Sequence, residues 1–137
     1  MSKSRRILIM GLPGAGKSTL AKELHELIVS LDITSVWLNE NQLKKEYPNL
    51  TIDKIHELCN NHKVDYIVAD FESPTSAMRR SIAAHYTIWV NTISEEDYQY
   101  VNNGFEPPFR YNFCVTTKDA PRWAREIFER ILFLENH

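Results

Sequence analysis

Gly11-Leu-Pro-Gly-Ala-Gly-Lys-Ser-Thr19 sets glycines, a lysine and two hydroxyls at fixed offsets, Gly-x-x-x-x-Gly-Lys-Ser. That spacing is chemistry for phosphate. Glycine-rich backbone can turn its N–H groups inward on a polyphosphate, and the positive end of a following helix adds to the attraction. In this P-loop pattern Lys17 neutralises β- and γ-phosphate charge, and the Ser18 hydroxyl ligates Mg²⁺. The apolar run Ile7-Leu-Ile-Met10 precedes the motif. Leu20, Leu24, Leu27, Ile28 and Leu31 follow it at helical spacing. The motif thus lies at a strand-to-helix junction, where a phosphate loop belongs. ATP and Mg²⁺ are the expected cofactors, with Gly11, Pro13, Gly14, Ala15, Gly16, Lys17, Ser18 and Thr19 as the nucleotide-binding residues.

Asp70 closes the apolar run Val64-Asp-Tyr-Ile-Val-Ala69. An acid after hydrophobic residues is the Walker B pattern, whose carboxylate holds Mg²⁺ or its water. It could equally take the proton of a substrate hydroxyl, or simply cap the next helix. Phe71 follows and either stacks on a flat ligand ring or packs in the core. Ser73 precedes Pro74, and a helix cap is its favoured role over chemistry. Arg79 and Arg80 are adjacent on that helix, so at most one faces a phosphoryl group or an anionic substrate; the alternative is a surface role for both. Asn39-Glu-Asn-Gln-Leu-Lys44 offers amides, Glu40 and Lys44 either to an acceptor or as a polar cap. Val101–Arg110 stands where a lid would close over ATP. Its only basic residue is Arg110, a poor supply of cations for phosphoryl transfer. His25, His56 and His62 lie on helical patterns and read as structural or solvent-facing, and Trp37, Trp89 and Trp123 read as core.

The elements that must position these groups alternate. Strands are expected at Arg5–Met10, Ser35–Leu38, Val64–Ala69, Tyr86–Val90 and Tyr111–Val115. Helices are expected at Lys17–Leu31, Gln42–Tyr47, around Ile55–His62, from Pro74 to about Ala84, after Ser94, and at Ala120–Leu134. Such alternation predicts an α/β fold with a mostly parallel sheet and helices on both faces. Ligands then bind beyond the carboxyl ends of the strands.

The 137-residue chain is expected to form one domain over residues 1–137. A net charge of −2 provides no basic field for nucleic acid or a membrane surface, and no segment has the length of a membrane span. Cys59 and Cys114 match no metal-ligand spacing and read as buried free thiols, pointing to a reducing, cytoplasmic setting. The oligomeric state stays open, a homodimer among the options.

Met10–Ala21 closely resembles the opening of adenylylsulfate kinases, which phosphorylate the ribose 3′-OH of adenosine 5′-phosphosulfate. The likeness extends to Ile67-Val-Ala-Asp-Phe-Glu-Ser-Pro74. Trp89–Thr92, Phe105–Pro108 and Val115–Thr117 are similar to a short, lid-reduced branch of that family. The resemblance implies a P-loop NTPase fold, a five-stranded parallel sheet in the order 2-3-1-4-5, and ATP-dependent transfer to a small hydroxyl-bearing substrate. It puts Phe71 near the adenine of adenylylsulfate and matches Ser73 to a family serine described as a phosphoserine intermediate. Arg79 matches a family arginine, and Lys44 stands where arginine is usual. The chain also departs from the pattern. Asn39, Glu40 and Asn41 replace Asp-Gly-Asp, and the amide of Asn41 cannot accept a proton as the second acid would. Asp70 replaces a family serine and could take over as base. Lys17, Asp70 and Ser73 are therefore the catalytic candidates, and Asn41, Lys44, Phe71, Arg79 and Arg110 the substrate candidates. A nucleotide-binding module without turnover and a simple NTPase are the alternatives.

Overall fold

In the computed structural model, residues 4–72, 76–93 and 105–136 are described. The strands are β1 (Arg5–Met10), β2 (Ser35–Asn39), β3 (Tyr66–Asp70), β4 (Tyr86–Val90) and β5 (Phe113–Val115). The helices are α1 (Lys17–Ser30), α2 (Glu40–Glu46), α3 (Ile52–Asn61), α4 (Ser76–Ile82) and α5 (Ala120–Glu135). The five strands form one parallel sheet in the order β2-β3-β1-β4-β5. This is the order and architecture expected of a P-loop NTPase.

Alternation along β1 builds the two layers of the core. Ile7 and Ile9 face α1 and α5, meeting Leu24, Ile28, Ile127 and Ile131. Leu8 and Met10 face the other way, with Leu43 of α2, Ile55 of α3 and Ile82 of α4. All four are at most 1% exposed, as a doubly covered parallel strand requires.

Several boundaries shift for local reasons. The α2 helix begins two residues earlier than its apolar pattern suggests, because the Asn39 side chain accepts from Gln42 N at 3.0 Å and caps it. The β3 strand begins at Tyr66 because Asp65 N donates to Thr34 Oγ1 at 2.8 Å instead of entering the ladder. The α4 helix ends at Ile82, before Ala83 adopts a left-handed φ of 53°. The β5 strand is short because the Asn112 side chain, not a backbone carbonyl, accepts from Thr87 N at 2.8 Å. The helix expected after Ser94 lies outside the described residues. Cys59 is buried and Cys114 half-buried, both free. Among the described residues no helix is long and apolar enough to cross a membrane.

Register sets the functional rim. Asn39 of β2 and Ile9 of β1 both stand opposite Asp70 of β3. Side chains from the ends of neighbouring strands are thereby delivered to the mouth of the loop after β1.

Candidate active site

The loop between β1 and α1 wraps the amino end of α1. Gly16 is the N-cap residue, with a left-handed φ of 103° that a side chain would strain. Its carbonyl accepts from Leu20 N at 3.1 Å, so the first helical turn closes directly behind the loop. Ala15 is 1% exposed and serves through its backbone: its N–H donates to Leu12 O at 3.2 Å, and its carbonyl accepts from Thr92 Oγ1 at 2.6 Å. Gly11 packs beneath the loop against β4, whereas Pro13, Gly14, Gly16, Lys17, Ser18 and Thr19 line a cavity of about 500 Å³.

The opposite wall of that cavity is Glu40, Asn41, Asp70 and Glu72. Lys17 Nζ donates to Leu12 O at 2.9 Å. Burial pushes its pKa down, because desolvation outweighs the attraction of Glu72, Asp70 and Glu40. A polyphosphate entering beside it would supply the charge its burial lacks.

Asp70 is 3% exposed and ends β3 as the sole buried charged side chain among the described residues. Trp37 Nε1 donates to its Oδ2 at 2.5 Å, and Asn39 Nδ2 donates to its Oδ1 at 2.8 Å. The same Asn39 nitrogen lies 3.1 Å from Ser18 Oγ. Burial raises the Asp70 pKa, and the hydrogen bonds from Asn39 and Trp37, with the charge of Lys17, offset only part of the rise. The Asn39 amide is thus fully used, its oxygen capping α2 and its nitrogen joining Ser18 to Asp70. An aspartate at this position could accept at the cap but could not donate to Asp70.

The remaining candidates fall unevenly. Asn41 lines the cavity. Lys44 lies outside its lining, with Nζ 3.5 Å from Glu40 Oε2. Phe71 is 1% exposed and packs beside Leu8, Met10, Ile82 and Phe105, so of its two readings core packing is the one found, against the place beside adenine that the resemblance implied. Arg79 is likewise turned from the cavity. Its guanidinium stacks over the Phe105 ring at 5.3 Å from the centroid and donates to the Glu106 carbonyl. Arg110 is exposed and does not line the cavity. Ser73 lies outside the described residues.

Three further residues contribute, of which Glu72 and Lys118 fall in the segments just after β3 and β5, where strand ends are expected to meet a ligand. Trp37, whose type suggests core, shares a strand face with Asn39 by its i, i+2 spacing, and that face carries Asp70; the spacing is the signal in the sequence that points to it. Glu72 lines the cavity, its N–H held by Glu40 Oε1 at 2.9 Å. Lys118, just past β5, donates to Gly14 O at 3.2 Å. Beside it an apolar slot of about 280 Å³ opens between Gly16, Thr19, Val115, Thr117 and Pro121, next to the phosphate loop.

No family model and no curated protein matches this sequence. Solved structures do. The APS kinase CysC of Mycobacterium tuberculosis, in complex with AMPPNP and APS, superposes with a TM-score of 0.74 at 13% identity, over 94% of this chain and 98% of that one. A gluconokinase from Sinorhizobium meliloti gives a TM-score of 0.61 at 16% identity, with both chains covered completely. The hexameric APS kinase of Thiobacillus denitrificans gives 0.69 at 15% identity over 96% of this chain and 29% of that one. The fold is that of the P-loop kinases.

Proposed function

We propose that this chain transfers a phosphoryl group from ATP to a hydroxyl of a small molecule. The observation that carries this reading is the Ser18–Asn39–Asp70 bridge at the mouth of the P-loop, which gathers a hydroxyl and a carboxylate around one point. The donor set suits Mg²⁺: hard oxygens, with nucleotide phosphates to complete an octahedron. Among the described residues no group of three His, Cys, Asp or Glu could hold a metal by itself, and Mg²⁺ typically completes its shell with water and substrate phosphate oxygens. When bound there, the ion would neutralise charge on the phosphoryl oxygens.

The chain's own groups do the rest. The P-loop backbone and Lys17 grip the phosphates, and the apolar slot beside Lys118 accepts the base. Trp37 and Asn39 fix the orientation of Asp70. Burial lifts the proton affinity of Asp70, which suits a base drawing the proton from an acceptor hydroxyl. By the resemblance, Asn39 and Asn41 stand where the adenylylsulfate kinases have the two acids of Asp-Gly-Asp, and Asp70, paired with Asn39 across the strands, is the acid that could take over as base. Among acceptors, the resemblance makes adenylylsulfate the first to test.

Release of ADP, measured with and without acceptors, decides the matter. A kinase shows acceptor-dependent ADP, an NTPase shows ADP without acceptor, and a binding module shows nucleotide affinity with neither. The proton role has its own test. Replacing Trp37 with phenylalanine removes one of the hydrogen bonds that hold the Asp70 pKa down. The acid limb of the kcat–pH profile should then move to higher pH. An unmoved limb would exclude Asp70 as the titrating base.

A further inference from the structure

The charges around the cavity are arranged on opposite sides. Among the described lining residues the cations are Lys17 and Lys118, and both sit on the phosphate-loop side, bonded to the carbonyls of Leu12 and Gly14 at 2.9 and 3.2 Å. The facing wall carries three carboxylates, Glu40, Asp70 and Glu72. That wall is built in place. Glu40 Oε1 accepts from Glu72 N at 2.9 Å, which joins the start of α2 to the turn after β3. Lys44 balances Glu40 from outside the cavity, whereas the lysine that Glu72 attracts is Lys17, on the phosphate-loop side where a nucleotide phosphate would draw on it. Arg79, the cation best placed by sequence, is committed to Phe105 and Glu106.

In-line transfer puts the attacking oxygen opposite the leaving oxygen, so the acceptor must lie between the nucleotide's terminal phosphate and the carboxylate wall. A negatively charged acceptor would meet like charge from both directions. A neutral polyol can donate hydroxyl protons to carboxylates, which only accept, and an amino alcohol can pair with them outright.

We propose that the Glu40–Glu72 wall is a charge filter, and that the acceptor is a hydroxyl compound with no negative charge, a polyol or an amino alcohol. This rests on the phosphoryl-transfer reading and narrows it away from adenylylsulfate.

The test uses the full chain with Mg²⁺ and two probes. The first is ADP release with glucitol, glucamine and gluconate, which differ mainly at one terminal group, and with adenylylsulfate. The second is the affinity of adenosine 5′-tetraphosphate relative to ATP, since the P-loop itself would carry the extra phosphate toward Glu72. The wild type should bind the tetraphosphate about tenfold more weakly than ATP, and Glu72→Lys should reverse that ratio, with Glu72→Gln between them. Turnover should favour glucitol or glucamine over gluconate. Adenylylsulfate or gluconate turned over as well as the uncharged compound would overturn the filter. So would a tetraphosphate ratio that ignores Glu72→Lys. A ratio that responds to Glu72→Lys with no acceptor-dependent ADP supports the filter and removes the kinase reading instead.

Discussion

Replacing Lys17 with alanine is expected to lower turnover by roughly 10²–10³-fold and to weaken ATP binding by about 2 kcal/mol, near thirtyfold in Kd. The side chain is half-buried at the base of the cavity, with its ammonium on the Leu12 carbonyl. From there a short swing reaches a phosphate in the loop, and no other cation on this wall stands within the motif, Lys118 arriving from the far side of β5. Isothermal titration with ATP and an ADP-release assay measure the two effects separately. A circular-dichroism melt of the variant establishes that it is folded. Unchanged affinity and turnover in a folded variant would remove the phosphate-binding role from the loop. The pKa shifts add a pH signature. Lys17 is pushed down and Asp70 up, both mainly by burial, so each charge costs the empty fold stability near neutrality. For Asp70 the sign is clear: its cost is absent below the unfolded carboxyl value and grows as pH rises through the folded one. Bound nucleotide should relieve the Lys17 part, raising the melting temperature of the wild type more than that of Lys17→Ala.

Replacing Gly11 with alanine is expected to cost about 2–4 kcal/mol of stability, a fall in Tm of roughly 6–15 °C. Gly11 has a φ of 153°, and a Cβ added there would lie 2.6 Å from the Val90 carbonyl oxygen. Val90 ends β4, which pairs with β1 through Met10 and Trp89, so relief would mean parting the two strands at the mouth of the site. Gly14→Ala is the comparison. Gly14 also has a positive φ, 81°, but nothing lies within 4 Å of its added Cβ, so backbone strain alone remains, about 1 kcal/mol. Thermal melts of both variants measure the difference. Equal losses would show that the contact with Val90 does not set the cost.

Much of this fold is legible in the sequence because its signals are local. The strand–glycine–helix junction at Met10–Lys17 and the apolar runs at Ile7–Met10 and Tyr86–Val90 each announce themselves within one element. The sheet order came through likeness to a family rather than through any residue's own chemistry. The site was harder, because its decisive contacts cross between strands. Trp37 and Asp70 are 33 positions apart and meet only once β2 and β3 pair in register. Asn39 was visible as a departure from a pattern, but its double service as helix cap and bridge depends on that same register. Phe71 and Arg79 are drawn away from the cavity for a shared reason. Each had a partner in the segment at Phe105–Glu106, which brings an apolar ring and a carbonyl against them from far along the chain.

The contact between Trp37 and Asp70 also makes the molecule its own optical gauge. The chain has three indoles, and two report on other regions: Trp89 lies against Tyr111 with ring centroids 5.5 Å apart, and Trp123 donates to Thr117 Oγ1 at 2.9 Å. Trp37, by contrast, has its N–H on the carboxylate at the cavity mouth. Whatever draws on that carboxylate, a proton or a cation, must alter the field at this indole. The change in emission between wild type and Trp37→Phe therefore isolates the filling of the site, without a label and without turnover.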